Sequence, residues 1–289
     1  MANFDLTPFD ITTPKPKPGG TTALTVPGHR IDEVREFARY EEGCAVLWAP
    51  TSGATTASVN RTRCEVKGKP FYLADGVKHI ARLTSQVQQV NWKGSFVLIQ
   101  AHCHDGNDPT LKGFIETKDR LSGVFKVGLR IAPDPAAPPK QVVFEPVDLA
   151  QPFTVQVCLH AGGKVEVGFE QEGCKEMLSA WLSDERAARP HVFHMGAYNQ
   201  VDQGHESEPA TDGTLLRIVD ILECHEQSEG TPPLDGAAFN AMIDHACTLP
   251  RQAMLLELNR ITDLIDEADL PDDVSGPLYL RIKAIKGQA

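Results

Sequence analysis

VFHMGAYNQ, residues 192–200, alternates apolar and polar side chains. Successive residues of an extended strand point to opposite faces. Phe193, Met195 and Ala197 therefore share one face, and His194, Tyr198 and Gln200 the other, with Gly196 leaving a gap between them. Two further segments follow the same rule. In RCEVK, residues 63–67, Cys64 and Val66 oppose Arg63, Glu65 and Lys67; in IQAHCH, residues 99–104, Ile99, Ala101 and Cys103 oppose Gln100, His102 and His104. Each strand thus has an apolar face for a core and an opposite face rich in Arg, Gln, His or Tyr, groups that donate hydrogen bonds well to a carboxylate. An ordinary solvated face and a functional face both remain open on this pattern, because spacing alone cannot make the three strands neighbours.

The surrounding chain reads the same way. From Ile31 to His225, short apolar runs alternate with turn residues: AVLWAP, FVLIQAHC, FKVGLRIA, QVVFEP, FTVQVCLH, KVEVGFE and TLLRIVDILEC all read as strands. Gly162–Gly163 and PDPAAPPK mark turns, and MLSAWLSDERAAR admits a short helix or an irregular turn. Many short strands with few helices predict an all-β fold, a two-sheet sandwich or jelly roll spanning 29–226, after an extended lead-in at 1–28 with one edge strand around Phe4–Thr12. QSEGTPPLDG reads as a linker. Beyond it the apolar spacing changes to three and four, predicting a C-terminal helical extension over 235–289. Met254, Leu255, Leu258, Ile261 and Ile265 either pack on the same chain or form a homodimer seam. Packing on the same chain is favoured, since a helix gains most of its stability by burying one face.

Composition narrows the function. A net charge of −11 lacks the basic excess of a nucleic-acid binder. No segment approaches the roughly 20 apolar residues that cross a bilayer. The opening MANFDLTPFDITTPKPKPGG has no basic start followed by an apolar run, so no signal peptide is expected in it. The seven cysteines are scattered without a CxxC pair, which predicts buried free thiols for most of them rather than a zinc or redox site.

The three polar strands resemble the signature motifs of the alginate lyases of polysaccharide lyase family seven. RCEVK at 63–67 resembles Arg-Ser/Thr-Glu-Leu/Val-Arg, QAH at 100–102 resembles Gln-Ile/Val-His, and VFHMGAYNQ at 192–200 resembles Tyr-Phe-Lys-Ala-Gly-Val/Asn-Tyr-Asn-Gln. AVLWAPTSGATTASVNRTRCEV, NFDLTPFDITTPKP and GTLLRIVDILE extend the likeness over residues 3–225. The resemblance implies a two-sheet β-jelly roll with the motifs on its concave face, acting on an anionic polysaccharide without metal or organic cofactor. By it, Arg63, Gln100 and His102 hold the substrate carboxylate or take part in proton transfer, and Tyr198 is the catalytic tyrosine. Glu65, Lys67, His194, Asn199 and Gln200 fall on substrate-binding positions in the cleft, Glu65 also helping to orient Arg63. Lys67 replaces Arg, Ala101 replaces Ile or Val, and His194 replaces Lys, so glucuronan or another uronan stands beside alginate as a possible polymer. Family likeness also implies export, against which stand the missing signal and the free thiols.

The chemistry expected of such a face is β-elimination. Removing the C5 proton of a uronate adds charge beside an existing carboxylate, so donors must be aimed at that carboxylate in advance; Arg63 and Gln100 are the candidates. Tyr198 is expected to act as acid, base or both, its phenol brought down from about 10 by Arg63 or Lys67. His102 titrates nearer neutrality and is the candidate base for the opposite C5 epimer. Two rivals stand beside this reading. One is a cupin-type metal enzyme using His102, His104 and His194, for which no glutamate follows at the expected distance. The other is a sugar-binding jelly roll without catalysis, which would have no need of an acid–base tyrosine.

Overall fold

The computed structural model describes residues 5–57, 59–73, 77–106, 108–132, 138–203 and 211–227, and beyond them 239–240, 243–244, 247, 258, 261–262, 265 and 272–288. The chain divides into two compact units, 1–227 and 228–289.

The first unit is a sandwich of two antiparallel sheets. The eight-stranded sheet runs, in spatial order, β10 (Lys140–Asp148), β9 (Ser122–Leu129), β8 (Pro109–Thr117), β7 (Ser95–Cys103), β14 (His191–Asn199), β5 (Arg63–Lys67), β1 (Asp10–Pro16) and β2 (Ala23–Pro27). The seven-stranded sheet runs β13 (Cys174–Trp181), β12 (Lys164–Gln171), β11 (Phe153–His160), β6 (Val77–Gln89), β15 (Gly213–Gln227), β4 (Cys44–Pro50) and β3 (Ala38–Glu41). One continuous core lies between them. Cys64, Val66, Ile99, Ala101, Phe193, Met195 and Ala197 meet Leu47, Leu83, Val155, Val157, Phe169 and Leu216 there. Each large apolar side chain so buried contributes roughly 1.5–3 kcal/mol. The core therefore commits the alternate face of β5, β7 and β14 to the outside.

Several elements depart from the sequence reading. The lead-in supplies two strands, β1 pairing with β5 and β2, and so extends the sheet that carries the polar strands. MLSAW belongs to strand β13 rather than a helix or turn, and only Asp184–Ala187 is helical (α1). As an edge strand with most of its side chains exposed, β13 has no apolar alternation to read. β6 and β8 are also strands that sequence pattern did not single out. His79 and His191 are both buried in the sandwich. His79 stacks on Phe71 with centroids 4.2 Å apart, and His191 shares a hydrogen bond with Thr110. Burial pushes both imidazoles down to about 4, which keeps them neutral in the interior. Cys44, Cys64, Cys103 and Cys158 are buried free thiols, whereas Cys174 and Cys247 are exposed.

The second unit has its own small core of Phe239, Ile243, Leu258, Ile261, Ile265, Leu278 and Ile282, with helix α2 (Asp272–Gln288) contributing the last two. Leu258, Ile261 and Ile265 are thus spent inside this unit rather than offered as a seam; Met254 and Leu255 lie outside the described residues. Among the described residues no helix is long and apolar enough to cross a membrane.

Candidate active site on the eight-stranded sheet

Strand order brings the three polar segments side by side, because β7 and β5 flank β14. His194 lies opposite Gln100 on one side and Lys67 on the other, and Tyr198 lies opposite Arg63. Parity then sends Arg63, Glu65, Gln100, His102, His194 and Tyr198 to one outer face. A local irregularity perfects this. Between Met195 and Tyr198 the pairing to β7 shifts by one residue, with Gly196 at φ +140°. A side chain there would meet the Cys64 carbonyl oxygen at 2.5 Å, so only glycine lets β14 approach β5 so closely. A matching shift between Val97 and Ile99 turns Val97 outward, where it packs with Phe114 against the Tyr198 ring.

Glu65 is the hub of the face. Its side chain is 1% exposed. Arg63 Nη1 lies 3.3 Å from Oε2, Gln100 Nε2 donates to Oε1 at 2.9 Å, and His194 Nδ1 lies 3.8 Å from Oε2. Burial works to raise its pKa, but His194, Arg63 and Lys112 outweigh it and hold the carboxyl below the usual glutamate range. Glu65 is therefore an ionised acceptor beneath the face. This corrects its assignment to substrate contact: its oxygens are covered and already engaged. Among the described residues, Arg63 Nε and His194 Nε2 are buried without a hydrogen-bond partner.

His102 has a defined tautomer. Its Nδ1 lies 2.8 Å from the carbonyl oxygen of Cys103, which can only accept, so Nδ1 carries the proton and Nε2 keeps a lone pair. Burial, reinforced by the charges of His194 and Lys112, pushes this imidazole down to about 4. It is a neutral base at neutral pH. The His194 ring stacks alongside it at 5.8 Å.

Tyr198 is 3% exposed. The Arg63 guanidinium sits 3.9 Å from its ring centroid and Lys112 Nζ 5.4 Å. Burial raises the phenol above its ordinary value, and the opposing pull of Arg63 and Arg61 does not reverse it. The expectation that cations lower this pKa is thus corrected for the free protein: loss of water contact outweighs them, and the phenol is protonated. Lys67, the other cation expected to act on it, lies instead beside His194 and Asp10 towards β1.

Asn199 is the clearest correction among the cleft candidates. One residue beyond Tyr198, it points inward, fully buried. Its amide nitrogen donates to Ala49 O and Thr62 Oγ1, both at 2.9 Å, and its oxygen accepts from Asn91 and Thr214. It ties β14 to the edges of β4 and β15 and cannot touch a substrate. Gln200 stays near the face, its Oε1 accepting from Arg61 at 3.0 Å. Arg61 also pairs with Asp202 at 2.7 Å.

Two features escaped the sequence reading. Lys112 stands on β8 opposite Gln100 and faces the site; the alternation Leu111, Gly113, Ile115 against Lys112, Phe114, Glu116 was the signal that could have found it. Beyond Gln200 the face continues into a groove of about 860 Å³ lined by Arg61, Lys93, Glu116, Lys126, Lys140 and Gln200. Among the described residues no three His, Cys, Asp or Glu side chains are grouped to hold a metal ion, so His102, His104 and His194 do not form the set that a cupin-type centre needs.

Comparison with known proteins bears on the same region. A family model described as alginate lyase matches residues 4–225. No curated protein is a significant match. Among solved structures, the alginate lyase PA1167 from Pseudomonas aeruginosa superposes with a TM-score of 0.67 at 18% identity, covering 77% of this chain and 100% of that one. The alginate lyase from Klebsiella pneumoniae gives 0.65 at 16% identity over 77% of this chain and 97% of its own. The alginate lyase from Corynebacterium sp. gives 0.60 at 14% identity over 76% and 95%. At these identities the structural likeness speaks for a shared fold.

Proposed function

This chain belongs to the alginate lyase family, and we propose that the outer face of its eight-stranded sheet cleaves alginate by β-elimination, with His102 as base and Tyr198 as acid. The observation that carries the assignment of roles is the opposite protonation of these two groups on one face. His102 presents an unprotonated Nε2, while Tyr198 holds its proton. The C5–H bond breaks, its proton passing to His102 Nε2. Its electron pair forms the C4=C5 double bond as the C4–O4 bond breaks, and the leaving O4 takes the phenolic proton of Tyr198. Arg63, its guanidinium carbon 3.9 Å over the Tyr198 ring, stabilises the phenolate left behind. Gln100 gives one amide N–H to Glu65 and keeps the other for the substrate carboxylate, a donor fixed before charge develops there.

Separate acid and base groups suit a sugar whose C5 proton and O4 leave from opposite sides of the ring, as in guluronate. The epimer, whose two groups leave from the same side, would need Tyr198 as base and then acid, and a phenol that holds its proton does not start that sequence, so the protonation of the site favours guluronate. The polymer extends along the groove beyond Gln200, where Lys126 and Lys140 share the single carboxylate of Glu116 and so leave positive charge for a further uronate. A polymer of this kind is met outside the cytoplasm, and we propose a secreted or periplasmic location for the protein.

The test is the ultraviolet absorbance of the unsaturated product. Purified protein is incubated with alginate and, in parallel, with glucuronan, together with the Tyr198→Phe and His102→Asn variants. Product from alginate and none from folded Tyr198→Phe supports the reading. Full activity in Tyr198→Phe, or absorbance only from glucuronan, refutes it.

A further inference from the structure

Three cations act on Tyr198: Arg63, Arg61 and Lys112. Two of them are already matched, Arg63 by Glu65 at 3.3 Å and Arg61 by Asp202 at 2.7 Å. Lys112 is not: among the described residues its ammonium makes no hydrogen bond and no ion pair within 4.0 Å. Its position gives that free charge a direction. Lys112 lies opposite Gln100 in the β7–β8 ladder, so the two side chains rise next to each other from the outer face. One N–H of the Gln100 amide is taken by Glu65, and among the described residues no hydrogen bond engages the other. At 5.4 Å from the ring centroid, Lys112 is secondary to Arg63, at 3.9 Å, as the tyrosine's cation.

Resting on the lyase reading above, we propose that Lys112 holds the carboxylate of the reacting uronate, with the free N–H of Gln100 as its partner, and so takes the charge-neutralising part that motif resemblance assigns to Arg63. A half-desolvated ammonium among guanidinium groups is costly until an anion reaches it. The groups that face it are Glu65 and Arg63 on β5, Arg61 before that strand, His102 on β7, Tyr198 on β14 and Arg130 after β9. Burial brings the Lys112 ammonium down to about 8, with Glu65 opposing and Arg63, Arg61 and Arg130 adding to the fall. A substrate carboxylate reverses that loss. A lysine that merely fills space on the sheet has no reason to couple its protonation to substrate affinity.

The experiment compares full-length wild type with Lys112→Met and Lys112→Arg on alginate, with kcat and KM measured separately from neutral to alkaline pH. Lys112→Met is expected to lose about 10- to 100-fold in kcat/KM, the range of one charge-assisted hydrogen bond, chiefly through a raised KM. In wild type, kcat/KM should fall on the alkaline side near the Lys112 pKa of about 8. In Lys112→Arg, whose guanidinium stays charged, that limb should move to higher pH. Should Lys112→Met fail to fold, the limb in Lys112→Arg decides alone. Wild-type KM in folded Lys112→Met, or an unmoved limb in Lys112→Arg, overturns the inference. If that happens while Tyr198→Phe is inactive, the lyase reading survives. If wild type releases no unsaturated product from any uronan, both fail together.

Discussion

Replacing Glu65 by Gln removes one charge and one acceptor from the centre of the site with little change in shape. Three donors converge on the wild-type carboxylate: Arg63 at 3.3 Å, Gln100 at 2.9 Å and His194 at 3.8 Å. A glutamine offers one acceptor oxygen and turns its NH2 towards the donors left over. Removing one partner of a buried ion pair costs about 3–5 kcal/mol. Arg63 retains some solvent contact, with 12% of its side chain exposed. Part of that loss is recovered by water, and about 2–3 kcal/mol is the expected cost, in the range of a lost charge-assisted hydrogen bond. Urea unfolding should show a lower midpoint with an unchanged m-value. The sign of the pH dependence is fixed by the lowered Glu65 pKa. Its stabilising contribution is fully present above the unfolded glutamate value of about 4.3 and disappears as pH falls through the folded value. The difference between wild type and variant should therefore shrink on acidification. Activity should fall through kcat as well as KM, because Arg63 and Gln100 both lose their anchor. Unfolding within about 0.5 kcal/mol of wild type at neutral pH, the scatter of ordinary surface substitutions, together with an effect on KM alone, would return Glu65 to the role of a substrate contact and refute the reasoning.

Gly196→Ala should lose about 2–3 kcal/mol in thermal or urea unfolding, since a Cβ at φ +140° would sit 2.5 Å from the Cys64 carbonyl oxygen and 3.0 Å from Leu47 Cδ1. Asn199→Ala strands the acceptors at Ala49 and Thr62 and should cost about 2–4 kcal/mol in urea unfolding; the KM of its folded fraction should stay at the wild-type value, as expected of a residue that never meets the polymer. The acid limb of kcat/KM should lie well below the ordinary histidine value of about 6.5, because His102 accepts a proton until pH approaches about 4; a limb near neutrality would remove His102 as the base.

Much of the site was visible in sequence for a simple reason. The alternation in RCEVK, QAH and VFHMGAYNQ is a local consequence of strand geometry, and the core later filled the faces it indicated: Cys64, Val66, Ile99, Ala101, Phe193 and Met195 inside, Arg63, Gln100, His102 and Tyr198 outside. The same parity already separated Asn199 from Tyr198, and motif likeness overrode it when Asn199 was counted with the cleft. Lys112 was missed although PTLKGFIET alternates as clearly as the motif strands. One lysine on a strand reads as solvated surface until its neighbours are known. β13 and β6 escaped for the converse reason: an exposed edge and a polar-rich ladder lack the apolar rhythm that marks a half-buried strand.

By itself the sequence determined which side chains share a strand face, the all-β class with helices following it, and the set of donors and proton carriers available. These depend on backbone period and composition, which act over a few residues. Tertiary structure alone decided that β14 lies between β7 and β5, that Gly196 turns Tyr198 against Arg63, and that Glu65 is a buried anchor. It also decided the protonation of His102 and Tyr198. Adjacency, desolvation and pKa are sums over groups far apart in the chain: Arg63 is drawn to Tyr198, and Gln100 to Glu65, only when strands separated in sequence are zipped together.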